Sequence, residues 1–151
     1  MKVKDIMTRD VVTIKEDDTV KTAAKTLNEK DFSGLPVVDE DNKVIGMITE
    51  GDLIRRVSNI SAPSYVEILG GLIPLESKKN YIDKLNSYVG YLVKDMMTKD
   101  VTTISEDAEF EEVATLMVRN KIKRIPVVDN EERLIGIISR KDIMKHLFDA
   151  D

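Results

Sequence analysis

Two four-residue stretches hold the side chains best placed for binding chemistry. Thr49-Glu50-Gly51-Asp52 and Ser139-Arg140-Lys141-Asp142 each set a hydroxyl three places ahead of a carboxylate. Each falls where an apolar β run gives way to a helical one, so free amide groups and the helix dipole favour an anion there. The same spacing is that of a capping box, with the hydroxyl at the N-cap and the carboxylate at N3, and a cap needs no ligand. A second feature is the cation pair Lys123-Arg124. A guanidinium suits bidentate contact with a phosphate, although a charge pair is also an ordinary solvated turn.

These residues recur because the chain is written twice. Val3–Asp17, "VKDIMTRDVVTIKED", lies on Val93–Asp107, "VKDMMTKDVTTISED". Pro36–Asp39 lies on Pro126–Asp129, and Ile45, Gly46, Ile48 and Asp52 lie on Ile135, Gly136, Ile138 and Asp142. No gap is needed from Val3 to Val57. Two copies, each too short to bury a full core alone, are expected to pack about a pseudo-twofold axis.

Each copy predicts the order β-α-β-β-α, which makes the fold class α/β. "VVTI" at Val11–Ile14 is a short β run. A helix follows, with Val20, Ala23, Ala24 and Leu27 at helical spacing. "LPVVD" and "KVIGMIT" form a hairpin about a polar turn, with Pro36 expected at a strand start or an unpaired edge. "EGDLIRRV" closes the copy as a helix. In the second copy Val113, Ala114, Met117 and Leu116 supply the apolar helix face, "IPVVD" and "LIGIIS" the hairpin, and "RKDIMKHLF" the last helix. Gly46 and Gly136 read as strand positions where another backbone comes close. The boundaries are repeat one at 1–57, an insert at 58–92 and repeat two at 93–151. The insert matches neither copy and is too long for a bare connector. "SYVEIL" and "KNYIDKLNSYVGYL" have helical spacing, so it is expected to be mostly helical, with Gly70-Gly71 as a helix stop or a hinge.

Bulk composition narrows the function classes. The chain has 151 residues, 42% hydrophobic and 34% charged, as suits a folded soluble protein. No apolar run reaches the roughly 18–20 residues of a membrane span, and the first residues lack a secretory signal. There is no cysteine and one histidine, His146, which argues against thiol catalysis, a disulfide framework and a zinc enzyme. A cytoplasmic location is expected. A net charge of -5 works against broad nucleic-acid binding. No Ser-His-Asp set or Walker-type glycine loop stands in the sequence, so the expectation is a non-enzyme.

The series h-P-V-V-D, hairpin turn, h-I-G-h-I-[ST]-x-x-D, preceded by hMT-x-D-hhTI and present twice, resembles a pair of cystathionine β-synthase (CBS) domains, a Bateman module. The resemblance covers Val3–Val57 and Val93–Phe148. It implies a regulatory module that binds AMP, ADP, ATP or S-adenosylmethionine in clefts between the repeats. It also implies that the motif aspartate receives the ribose hydroxyls. One ionised carboxylate can accept both protons of a diol.

Carried onto this sequence, cleft one takes Thr49 and Asp52 from repeat one and Val101, Thr102, Lys123, Arg124 and Ile125 from repeat two. Cleft two takes Ser139, Arg140 and Asp142, facing Val12, Ser33, Gly34 and Leu35. Cleft one combines a carboxylate with two cations and is expected to take a phosphorylated ligand. In cleft two Ser33 and Gly34 are uncharged, so it is expected to be weak, empty or suited to a less charged adenosine compound. The resemblance further implies a disc-like homodimer and a separate regulated protein, since repeats and insert fill the chain. A ligand-free dimerisation module is the alternative.

Overall fold

A computed structural model describes residues 1–58, 65–68, 70–74, 79–80, 83 and 90–148. The elements are α1 (Val3–Ile6), α2 (Val20–Lys30), β1 (Gly34–Val38), β2 (Val44–Thr49), α3 (Glu50–Ser58), β3 (Tyr65–Ile68), β4 (Gly71–Pro74), α4 (Val93–Met96), β5 (Ile104–Ser105), α5 (Phe110–Asn120), β6 (Arg124–Val128), β7 (Leu134–Ser139) and α6 (Arg140–Phe148). They group into two compact units that do not follow the repeats. One comprises Met1–Ile14, Pro36–Met47 and Lys99–Asp151, the other Lys15–Leu35 and Ile48–Thr98.

In the first unit the opening turn of repeat one completes repeat two. The Val3 and Lys4 amides each donate over 3.0 Å to the carbonyls of Ala108 and Glu106, and the Phe110 amide donates over 3.0 Å to Met1. Asp5 Oδ2 accepts from the Lys2 amide at 2.9 Å and so caps α1. Val3 and Met7 join the apolar core of Ile104, Phe110, Val113, Met117, Ile125, Val127, Ile138 and Ile143. Thr8 and Ile137 exchange two backbone bonds of 2.9 Å. This close approach explains Gly136: a Cβ there would lie 2.5 Å from Met7 Sδ and 3.1 Å from the Thr8 carbonyl. The sheet runs β5-β6-β7, parallel then antiparallel.

The second unit repeats the arrangement. Amides of Val93 and Lys94 donate to Asp18 and Glu16 at 2.8 and 3.0 Å, and Lys94 Nζ pairs with Asp17 at 3.0 Å. Thus α4, from the start of repeat two, packs with α2 and α3 of repeat one. Helix α2 begins where Thr19 Oγ1 accepts from the Thr22 amide at 3.1 Å, and ends at Asp31 in the left-handed region, φ 52°. Its buried face is Val20, Ala23 and Leu27; Ala24 faces solvent, one position outside the expected stripe.

The aspartate of each "PVVD" builds the following turn. Asp39 Oδ1 accepts from the amides of Asp41 and Lys43, and Asp129 Oδ1 from those of Glu131 and Arg133, all at 2.9 Å. Asn42 and Glu132 take the left-handed conformation there, φ 61° and 63°. Pro36 lies inside β1 rather than at its first residue, and pairing with the upstream segment starts only at its carbonyl, which accepts from the Ile14 amide at 3.0 Å.

Two sequence expectations need correction. The run at Val11–Ile14 narrows to a single parallel bridge, Ile14 with Val37; its counterpart in repeat two is the two-residue β5. Within the described part of the insert, Tyr65–Ile68 and Gly71–Pro74 are strands, not a helix: β3 and β4 pair antiparallel, Tyr65 with Pro74 through Ile68 with Gly71. A short apolar run does not distinguish the two periods. Gly70 decides it, since φ 79° closes a tight reverse turn and glycine holds that angle without steric cost. Neither a helix stop nor a hinge is found at Gly70-Gly71. Lys79, Asn80 and Asp83 are helical, and most of the expected second helix lies outside the described residues.

Candidate functional site

Each hydroxyl-carboxylate stretch sits where a hairpin's second strand runs into a helix. At the first, the amide of Thr49 donates to Asp52 Oδ2 at 2.9 Å and the amide of Asp52 donates to Thr49 Oγ1 at 3.1 Å. This is the reciprocal capping box, and it holds Asp52 in one rotamer at 7% exposure. The remaining oxygen, Oδ1, is also engaged. Arg55 Nη2 donates to it from one turn further along α3, and Thr98 Oγ1 lies 3.4 Å away.

The second stretch is built differently. Both donors of Ser139, amide and hydroxyl, go to Asp142 Oδ2 at 2.7 Å, and the Asp142 amide reaches Ser139 Oγ at 3.4 Å. Oδ1 of Asp142 has no hydrogen-bond partner among the described residues. The residue three places on is Lys145 instead of arginine, and no ion pair joins it to Asp142 among the described residues.

The other expected residues take these places. Lys123 is exposed, and its carbonyl accepts the Arg140 amide at 3.0 Å. Arg124 stands in register with Ser139, and Ile125, fully buried, with Ile138. The hairpin therefore lines Lys123 and Arg124 up beside Ser139 and Arg140 of their own repeat, a neighbourhood that counting back from the turn would have given. Ser33 matches Lys123: its carbonyl accepts the Glu50 amide at 3.0 Å, and Gly34 and Leu35 are buried in β1. Val12, Val101 and Thr102 are half-buried in irregular segments, and Thr102 Oγ1 accepts from Asn120 Nδ2 at 3.2 Å. Each expected cleft draws residues from both compact units.

Sequence reasoning missed Arg55 and Thr98. The spacing of Asp52 and Arg55, three apart on a helix, was visible as an ion-pair signal. Thr98 was not, because it reaches Asp52 only through the packing of α4 against α3.

A family model of the CBS domain matches residues 3–59 and 93–149. The chain belongs to the CBS-domain family. It is similar to the CBS domain pair of protein MJ0100 in complex with 5'-methylthioadenosine and S-adenosyl-L-methionine, with TM-score 0.76 and 26% identity over 100% of this chain and 98% of that one. The structure of CBSX2 in complex with AMP superposes with TM-score 0.74 and 27% identity, covering 99% and 97% of the two chains. In sequence, 38% identity over 144 residues relates it to inosine-5'-monophosphate dehydrogenase of Methanocaldococcus jannaschii. The match takes in 95% of this chain and 23% of that enzyme. This CBS pair shares its fold with pairs that hold adenosine compounds. Among the described residues no helix is long and apolar enough to cross a membrane.

Proposed function

We propose that this CBS pair is a non-enzymatic sensor that binds an adenosine-containing ligand (AMP, ADP, ATP or S-adenosylmethionine) and passes the event to a separate protein. The observation that supports it most is Asp52, a carboxylate at 7% exposure fixed by the Thr49 amide at a strand-helix junction. Two proteins of the same fold hold AMP and S-adenosylmethionine. In this reading Asp52 accepts the ribose hydroxyls. Thr49, Val101, Thr102, Lys123, Arg124 and Ile125 complete cleft one, with Lys123 and Arg124 countering phosphate charge. Ser139, Arg140 and Asp142, with Val12, Ser33, Gly34 and Leu35, form cleft two. Binding alters the partner's surface only as far as the ligand prefers one conformation over another.

Calorimetric titration of nucleotide-stripped protein with the four ligands, repeated on Asp52→Ala, tests it. Micromolar binding that is lost in a folded Asp52→Ala variant is expected. Absence of binding by all four leaves the two motifs as helix caps.

A homodimer is part of the proposal. Val118 on α5 is 79% exposed and Phe148 on α6 is 72% exposed, with Met144 and Leu147 also open. On α6 the open Met144, Leu147 and Phe148 stand three and four residues apart on one face, and an apolar face left open favours a protein contact. Light scattering should give twice the 17.1 kDa chain mass. A dimer that binds none of the four ligands would instead favour the ligand-free dimerisation module.

A further inference from the structure

The two motifs differ in what already occupies the carboxylate. A diol needs two acceptor positions. At Asp142, Oδ1 is open among the described residues, while both local bonds converge on Oδ2. At Asp52, Oδ2 serves the Thr49 amide, and Oδ1 is held by the Arg55 guanidinium with Thr98 Oγ1 at 3.4 Å. The pair is lopsided: the Asp52 side chain is 6% exposed and that of Arg55 is 71% exposed. An exposed arginine can swing away without burying or stranding its charge, so the contact is a movable cover on a fixed carboxylate. Space around it is already narrow, because a Cβ on Gly51 would lie 3.3 Å from Arg55 Nη1.

We propose that Arg55 is an intramolecular competitor at the first motif. Its guanidinium must leave Asp52 Oδ1 before ribose hydroxyls can bind there, which makes the first site weaker than its bare geometry would allow. The second motif, with Lys145 at the matching position, carries no such competitor among the described residues. The inference rests on the adenosine-binding reading and adds a regulatory contact to it. Whatever draws Arg55 away, such as an acidic group of a partner, opens the first site without touching the second.

The test is a residue-resolved NMR titration of the full chain with AMP, and separately with adenosine. The amides of Gly51 and Lys141 report the two motifs. Wild type is compared with Arg55→Gln and with Arg55→Lys, which copies the second repeat. Both variants change an exposed side chain, and the amide spectrum itself verifies folding. The expected result is a Kd at the Gly51 reporter lowered roughly three- to tenfold for both ligands, with the Lys141 reporter unchanged. Binding at Gly51 that is unaltered in Arg55→Gln overturns the competitor role and leaves the sensor reading standing. Weaker AMP binding with unchanged adenosine binding also overturns it and makes Arg55 a phosphate ligand. No saturable shift at either reporter in any of the three proteins overturns the sensor reading and the competitor with it.

Discussion

Arg55 donates to Oδ1 of Asp52 from one turn along the same helix, and the acceptor is buried while the donor stands in solvent. The two partners should therefore differ in what their loss does. Asp52→Ala removes the acceptor of the Thr49 amide in a buried place, and is expected to cost about 1–3 kcal/mol of unfolding free energy. Arg55→Gln removes only an exposed partner and should cost less than about 1 kcal/mol. Urea unfolding of both variants measures the difference. Equal losses would show that the pair, not the cap, dominates.

Gly136 and the Thr8 carbonyl make the second test. A methyl group at position 136 would press on Met7 Sδ and on backbone 3.1 Å away, and only the side chain can yield. Gly136→Ala is expected to destabilise the fold by about 1–3 kcal/mol. Adding Met7→Ala should recover part of that loss in a double-mutant cycle, because it relieves the sulfur contact and leaves the carbonyl contact. Strict additivity would mean that the two groups do not meet.

Much of this was legible in the repeat. The register of the copies placed both hairpins, both closing helices and the hydroxyl-carboxylate junctions, because apolar period and turn residues are local signals. The close approach at Gly136 was readable from a glycine inside a strand. Long-range effects were not. That Val3 would finish the core of the second copy, and Val93 pack with α2 and α3 of the first, depends on which surfaces are left open once each copy has folded. "VKDIMT" carries no mark of its destination. Ala24 was misassigned because a small residue beside an apolar stripe is at ease on either side. Strands β3 and β4 of the insert were misread because four apolar-rich residues fit both periods, and the reverse turn at Gly70 settles the matter. At the junctions the capping box and the expected ligand residues are the same atoms, so the cap could be foreseen but not told apart from a binding role.

The exchange of opening turns gives a third test. Val3 and Val93 are fully buried in equivalent places, each at the start of one repeat and packed, within its own compact unit, with residues of the other repeat. Val3→Ala and Val93→Ala should each cost about 1–3 kcal/mol. Hydrogen exchange should locate the loss across the exchange. Val3→Ala is expected to loosen amides of α5 and β6, and Val93→Ala those of α2 and α3. Loosening confined to the residue's own repeat would contradict the packing.

Acid should weaken the fold through two surface carboxylates, and the sign follows from their partners. Asp107 is held below its ordinary value of 3.8 chiefly by its hydrogen bond from Lys4, then by the charges of Lys4 and Lys2. Asp129 is lowered first by the hydrogen bond from the Arg133 amide, opposed by some desolvation and helped by the Glu131 amide and the Arg133 guanidinium. A depressed folded-state pKa means that the unfolded chain takes up protons first as pH falls. The stabilising contribution is therefore complete above the unfolded value, near pH 4, and is lost as pH drops through the folded one. Urea unfolding between pH 7 and pH 3 should be flat for these groups at the upper end and fall below about pH 4. Asp107→Asn should shallow that fall, and added salt should do the same for the Lys4 pair, because both partners are open to solvent. Asp129→Asn removes the titrating group, so its whole share of the acid limb disappears, while the amide oxygen still accepts the two turn amides and limits the loss of stability at neutral pH. An acid limb identical in all three proteins would assign the acid sensitivity to other carboxylates.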